Sequence, residues 1–294
     1  MPDQALPSLA EGFSWRQNPS GLAYIDADTP LCRASICLQG AQVVSFQAQG
    51  RPPLLWLSPA VVLAPGKAIR GGVPLCWPWF GPDRSGRSLP QHGFARTRAW
   101  NVLGSGSAAE GALRLSLGLT DDGATRSQWP HAFSLRLDLL LGRELDLHLT
   151  ATNTGDSPWP WQAAFHPYLS VPGIVGCRLQ GLGGLSYRDV TQGPGLQVQA
   201  EDALAVDRAL DRVYQGSPDA CTLHDAAGTT VFRFTKRSAR DTVVWNPGPR
   251  PVSSPPDLPL ESWADFLCVE ALSRDEPVEL APGAAAALGM RLTN

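Results

Sequence analysis

The sequence predicts an all-β protein, a large antiparallel β-sandwich, and three observations carry that expectation. Leucine recurs at every second position in three successive runs, at 113, 115, 117 and 119, at 135, 137 and 139, and at 145, 147 and 149, with polar or small residues between. Period two with one apolar face marks antiparallel strands that bury one side and wet the other. The 29 glycines and 27 prolines among 294 residues demand many turns and disfavour long helices. No repeat and no linker divides the chain, so residues 1–294 read as one domain, a size that sandwiches routinely reach.

Taken in order, short β-type runs at 22–26, 31–38 and 41–48 form an opening meander, and 54–57 is a brief apolar strand. Between the first two leucine runs, 125–129 makes a helical turn closed by Pro130, and His131 belongs to that connection. His148 shares a face with Asp146 and Thr150 and is expected at the surface. Residues 173–200 read as loop and short strand, and 202–214 is the best helix candidate. A hairpin pairs 221–224 with 229–235 around Ala227-Gly228. A strand at 242–245 ends in the turn Asn246-Pro247-Gly248. The proline-rich stretch 249–259 is expected to be a mobile surface loop. Residues 266–272 form a buried strand, and 285–292 closes the sheet.

Charged residues are only 17% of the chain and the net charge is −3, so no global attraction to nucleic acid or an anionic membrane is expected; any phosphate binding must be local. The six cysteines, at 32, 37, 76, 177, 221 and 268, lack CxxC spacing and suit a reduced, cytoplasmic protein. The amino terminus has neither a basic nor an apolar signal segment, and no run reaches the ~18 apolar residues of a membrane span. Metal-ligand spacings, a nucleophile elbow and a phosphate loop are missing, so neither metal nor cofactor is expected.

Chemistry concentrates between Ala68 and Arg98. Arg70 precedes Gly71 and Gly72, which let backbone and ligand approach closely. Trp77, Trp79 and Phe80, stiffened by prolines, offer flat faces for a sugar ring. His92, a proton donor or acceptor near neutral pH, and Arg96, a second cation, follow. A second aromatic cluster, 158–168, holds His166 before Pro167, which pushes it into extended geometry. Glu270 interrupts an apolar run, a costly position for a charge without a task. Two histidines, a carboxylate, two arginines and aromatic walls suit acid/base work on an anionic sugar. The same residues also fit a plain aromatic core with solvated arginines, and Glu270 with Asp211 fits a paired-carboxylate glycosidase.

Arg70-Gly71-Gly72-Val73-Pro74-Leu75-Cys76-Trp77-Pro78-Trp79-Phe80-Gly81 and Gln91-His92-Gly93-Phe94-Ala95-Arg96 are followed by Phe165-His166-Pro167-Tyr168 and Asp211-Arg212-Val213-Tyr214. Trp245-Asn246-Pro247 and Cys268-Val269-Glu270 complete the series. In this order they resemble the motifs of glucose-6-phosphate 1-epimerases, the hexose-6-phosphate mutarotase branch of the aldose 1-epimerase family, over about residues 20–293. The resemblance implies a galactose mutarotase-like supersandwich and cofactor-free interconversion of the α and β anomers of a hexose 6-phosphate, glucose 6-phosphate foremost. It makes His166 the general acid and Glu270 the general base, with His92 near the ring oxygen and anomeric hydroxyl. Asp211 then binds sugar hydroxyls, Arg70 and Arg96 hold the phosphate, and Gln91 and Trp245 lie beside the ligand. The implied partner is a phosphorylated hexose, with no nucleic acid and no membrane, and the chain is expected to act as a monomer. Leu169 departs from the pattern, which has an aromatic after the tyrosine, and the 249–259 stretch looks longer than usual; both bear on sugar packing. Two other classes fit the residues: a noncatalytic sugar-binding sandwich using Trp77, Trp79 and Trp161 as platforms, and a glycoside-cleaving enzyme on a similar fold.

Overall fold

The computed structural model describes residues 6–193, 195–249 and 255–294. The leucine runs become the strands Leu113–Thr120, Phe133–Leu141 and Leu145–Asn153, paired antiparallel. Leu117 lies opposite Leu137, and Leu137 opposite Leu149, so the leucine rows are continuous and fall on one face. Asn101–Ser107 flanks them on one side. On the other lie, in order, Ala285–Thr293, Thr230–Arg237, Ala220–His224, Arg178–Gln180 and Ala203–Ala205, completing a nine-stranded back sheet. The run at 285–292 completes this sheet from within, paired with Thr230–Arg237 and Leu145–Asn153, rather than closing an edge.

A second large sheet, the site sheet, orders Leu196–Val198, Ser186–Asp189, Leu210–Tyr214, Asp241–Asn246, Phe266–Leu272, Ala164–Phe165 and Leu75–Cys76. Tyr168–Ser170 also pairs with Phe266–Leu272. The sheets share one core in which Leu117, Leu137 and Leu147 of the back sheet join Val244, Leu267 and Val269 of the site sheet. The opening meander is the four-stranded sheet Phe13–Gln17, Ala23–Asp28, Cys32–Cys37 and Gln42–Ala48, whose Ile25, Ile36 and Phe46 enter the same core. The expected all-β sandwich is the fold. Gly123–Gln128 is a short helix, started by Asp122, whose carboxylate accepts the Thr125 N–H at 2.6 Å.

Several local expectations change. Residues 202–214 form no helix: Ala203–Ala205 and Leu210–Tyr214 are strands of different sheets. Leu210–Tyr214 is flanked by Ser186–Asp189 and Asp241–Asn246, and this two-sided pairing outweighs local propensity. Residues 54–57 make only isolated bridges, Leu55 to Leu169 and Leu57 to Gly71. The 249–259 stretch lies partly outside the described residues; in its described part Leu258 is buried against Trp56, Tyr168 and Phe266. Leu169 is fully buried in the shared core. Trp77 is likewise fully buried, edge-on to Phe94, Trp129 and Trp159, and Trp161 is buried too, so neither is a platform for sugar. The Gly71-Gly72 pair serves chain packing: a Cβ on Gly72, at φ +62°, would stand 2.3 Å from the Val43 carbonyl oxygen, and one on Gly71 2.6 Å from Leu57 Cα.

The loop carrying His92 and Arg96 is pinned to the buried Trp77 segment. Phe94 N–H donates to the Trp77 carbonyl at 3.0 Å, and Gly93 has φ +69° with room for no side chain, since a Cβ would stand 2.0 Å from that oxygen. Gly93→Ala is therefore expected to lower stability by on the order of 3 kcal/mol in urea unfolding. An unchanged midpoint would show that the loop is free to shift away from Trp77.

Candidate active site

Strand register builds the floor of the site. Arg188 pairs with Val213, Val213 with Val243 and Val243 with Glu270, so these four form one row across the site sheet. The next row runs Asp211, Trp245, Cys268, Tyr168. Alternation points both rows away from the shared core, toward a cavity of about 530 Å³. Phe266–Leu272 is buried on both faces, which is why it reads as an unbroken apolar run apart from Glu270.

His166 and Glu270 meet here. The His166 backbone N–H donates to the Pro74 carbonyl at 3.0 Å, and its ring lies flat on Tyr168 (centroids 5.0 Å apart, 9° between planes) with Trp245 edge-on at 5.9 Å. Its Nε2 is 3.4 Å from Glu270 Oε1. Glu270 is 1% exposed and His166 8%. Nδ1 of His166 and Oε2 of Glu270, both buried, have no hydrogen-bond partner among the described residues. Burial raises the Glu270 carboxyl well above its ordinary range, helped by Asp211. Burial likewise lowers the His166 imidazole well below its own, helped by His92, Arg96 and Arg70. Both shifts favour the uncharged form of each group.

His92 stands across from His166, the rings 5.9 Å apart. Its backbone has φ +63°, an uncommon region for a non-glycine residue. Its N–H donates to the Gly81 carbonyl at 2.8 Å, while the Gly81 N–H donates back to the ring Nδ1 at 3.2 Å. Nδ1 is thereby an acceptor, so the neutral ring carries its proton on Nε2. Burial, with Arg96 and Arg70, holds this imidazole down at about 3 and neutral.

The two arginines differ. Arg70 donates from Nε and Nη2 to Asp257 Oδ1 at 3.3 and 3.2 Å, and from Nη1 to the Tyr168 hydroxyl at 3.1 Å. Arg96 has no carboxylate partner among the described residues: Nη2 donates to the Gln91 carbonyl at 2.6 Å, and the buried Nε has no partner. Gln91 thus contributes its backbone to Arg96, while its own side chain is exposed at the cavity rim. Asp211 lies on the other side of the cavity floor with its carboxyl raised to about 6, by burial first and then by Asp189, against the opposing pull of Arg188. Of the three clustered aromatics only Phe80 lines this cavity; Trp79 faces the neighbouring groove and donates Nε1–H to the Pro90 carbonyl.

The cavity thus gathers all eight residues singled out from the sequence: His166, Glu270, Arg70, Gln91, His92, Arg96, Asp211 and Trp245. Sequence reasoning missed the ion pairs around them, Asp257 on Arg70, Arg188 with Asp275 at 2.9 Å, and Arg84 with Glu276 at 3.1 Å. Charged residues in loops and strand ends carry no periodic signal, so only their convergence reveals them. No group of three or more His, Cys, Asp or Glu able to hold a metal occurs among the described residues.

The aldose 1-epimerase family model matches residues 25–293, and the chain belongs to that family of enzymes, which interconvert sugar anomers. Its relatives include a Salmonella typhimurium protein described as "Putative glucose-6-phosphate 1-epimerase", 33% identical over 94% of this chain and 90% of the relative. An Escherichia coli protein of the same description is 31% identical over 90% of this chain and 91% of its own. A crystal structure of a "putative mutarotase (YeaD)" from Salmonella typhimurium superposes with a TM-score of 0.88 at 30% identity, covering 98% of this chain and 96% of that one.

The raised Asp211 carboxyl has a stability consequence with a definite sign. Its contribution is fully present below the ordinary 3.8 and is lost as pH rises through about 6. Asp211→Asn is expected to remove that slope and to gain on the order of 1 to 2 kcal/mol relative to the native chain above the window, after solvent screening. Urea unfolding on either side of the window checks this; parallel curves would show that Asp211 titrates as in the unfolded chain.

Proposed function

We propose that the protein interconverts the α and β anomers of a hexose 6-phosphate, most simply glucose 6-phosphate, without a cofactor. The observation that carries the phosphate in this reading is Arg96: a cation lining the same cavity as the acid/base pair, with no carboxylate partner among the described residues and a buried Nε left unpartnered. Anions gain most from such a group, because charge-assisted hydrogen bonds in a water-poor site are the strong ones. Arg70, with donors held in place by Asp257 and Tyr168, is the second phosphate ligand.

Ring opening of a hemiacetal needs only proton transfer, which suits a histidine and a carboxylate. Glu270 as carboxylate takes the proton of the anomeric hydroxyl while His166 as imidazolium gives one to the ring oxygen, and the bond from C1 to that oxygen breaks. The open aldehyde then stands beside a protonated Glu270 and a neutral His166. Rotation about C1–C2 and reclosure with the roles reversed produces the other anomer. His92, neutral and with its proton on Nε2, donates to the sugar oxygens near C1. Asp211 accepts from ring hydroxyls, Trp245 walls the ring, and Gln91 holds Arg96 through its carbonyl. The acting unit in this reading is a monomer. Six unpaired, buried cysteines fit a reduced compartment such as the cytoplasm. No helix among the described residues is long and apolar enough to cross a membrane.

The deciding experiment follows the anomerisation of freshly dissolved α-glucose 6-phosphate with and without protein, beside free glucose. Acceleration of the phosphorylated sugar is expected to exceed that of glucose; equal acceleration of both would remove the phosphate from the reading. Glu270→Gln is expected to cut turnover by about 10²- to 10⁴-fold while leaving sugar phosphate binding largely intact, and near-normal turnover would take Glu270 out of the chemistry. For Arg96→Ala, the Michaelis constant for the phosphorylated sugar is expected to rise by roughly 10- to 100-fold, with little change for glucose.

A further inference from the structure

Tyr168 is only 2% exposed, yet two parts of its side chain meet groups of the site. Its ring lies flat on the His166 imidazole, centroids 5.0 Å apart and 9° between planes, and its hydroxyl accepts from Arg70 Nη1 at 3.1 Å. The tyrosine is itself firmly held. Its N–H donates to the Gly72 carbonyl and its carbonyl accepts from the Trp56 N–H, each at 2.8 Å, while its ring packs on Trp56, Phe266 and Trp245 at 5.8, 5.1 and 6.0 Å between centroids. We propose that Tyr168 is a positioning residue with two separable tasks: its ring fixes the plane of the His166 acid, and its hydroxyl fixes Arg70 for the phosphate. This rests on the hexose 6-phosphate reading and adds to it a residue that acts only through two others.

Each task answers to a constraint that the partner lacks. The working nitrogen of a histidine is ordinarily set by a hydrogen bond at the other ring nitrogen, and Nδ1 of His166 has none among the described residues. Nε2 stands 3.4 Å from Glu270 Oε1, too far for that contact alone to hold the ring. Flat, offset stacking on an immobile tyrosine supplies the missing constraint. A proton donor misplaced by about an ångström can cost roughly 100-fold in rate, so the constraint bears on turnover. Arg70 is the complementary case. Its Nε and Nη2 both donate to a single atom, Asp257 Oδ1, at 3.3 and 3.2 Å, and one acceptor atom leaves the guanidinium able to pivot about it. The bond from Nη1 to the Tyr168 hydroxyl is the second fixed point. One N–H on each terminal nitrogen then stays unused among the described residues, a fork that suits two phosphate oxygens.

Substitution separates the two tasks, with anomerisation of freshly dissolved α-glucose 6-phosphate as the readout. Tyr168→Phe keeps the ring and loses the hydroxyl: KM is expected to rise about tenfold while kcat changes by less than about twofold. In an Arg70→Ala background the same change is expected to move KM by less than about twofold, because the hydroxyl acts through Arg70. Tyr168→Leu removes the flat face as well, and kcat is expected to fall to about a tenth of the Tyr168→Phe value or lower at a similar KM. Urea unfolding shows beforehand which variants fold. If Tyr168→Leu does not, Tyr168→Phe still decides: a kcat that falls although the ring is intact, an unchanged KM, or a KM effect that persists without Arg70 overturns the proposal. So does a Tyr168→Leu protein that turns over as fast as Tyr168→Phe, or a Tyr168→Phe protein that fails to fold, which would make the hydroxyl a structural group. If the native protein does not accelerate glucose 6-phosphate at all, the substrate reading falls and this inference with it.

Discussion

A carboxylate in the middle of a strand with no wet face is the constraint on which the site depends. Glu270 is paired with Val243 of the neighbouring strand, its neighbours Val269 and Ala271 are anchored in the shared core, and its own side chain points to the cavity. Such a group is tolerable only with a partner that can exchange charge with it, and His166 is that partner. Desolvation pushes the two titrations in opposite senses, each toward its uncharged form.

The surrounding structure tunes this pair more than it adds chemistry. Tyr168 does two jobs through one side chain, stacking on His166 and accepting from Arg70. Asp257 tethers Arg70 to a segment pinned by the Ser58 hydroxyl, which donates to the Asp257 carbonyl at 2.6 Å, and by Leu258 in the aromatic cluster. Among the described residues Arg96 donates to the Gln91 carbonyl and has no carboxylate partner. Arg70 has a carboxylate partner and Arg96, among the described residues, has none, which places a local positive charge at the cavity of a protein whose net charge is −3.

Legibility in the sequence followed the strength of the local signal. The leucine alternation was unambiguous because each strand of the back sheet has one wet face, and the strands formed where it indicated. Asp202 to Tyr214 misled because its strand is short and both its faces are occupied: Leu210 and Tyr214 enter the core, Val213 faces the cavity side, and the buried Arg212 is satisfied by Asp189 and Gln199. Trp77 misled for a related reason, since an aromatic beside a proline looks the same whether it faces a ligand or a core. The site residues were legible as types, a histidine before proline and a carboxylate in an apolar run, and the resemblance to known motifs named them.

By itself the sequence determined the sandwich, the polar residues worth suspecting and the lack of a global basic charge, because periodicity, turn content and composition are local or additive properties. Tertiary structure alone decided which arginine is paired, which tautomer His92 holds, and that Glu270 faces His166. Those are matters of distance and desolvation between residues that folding brings together, Arg70 with Asp257, His166 with Glu270 and Gly81 with His92, and no periodic pattern encodes them.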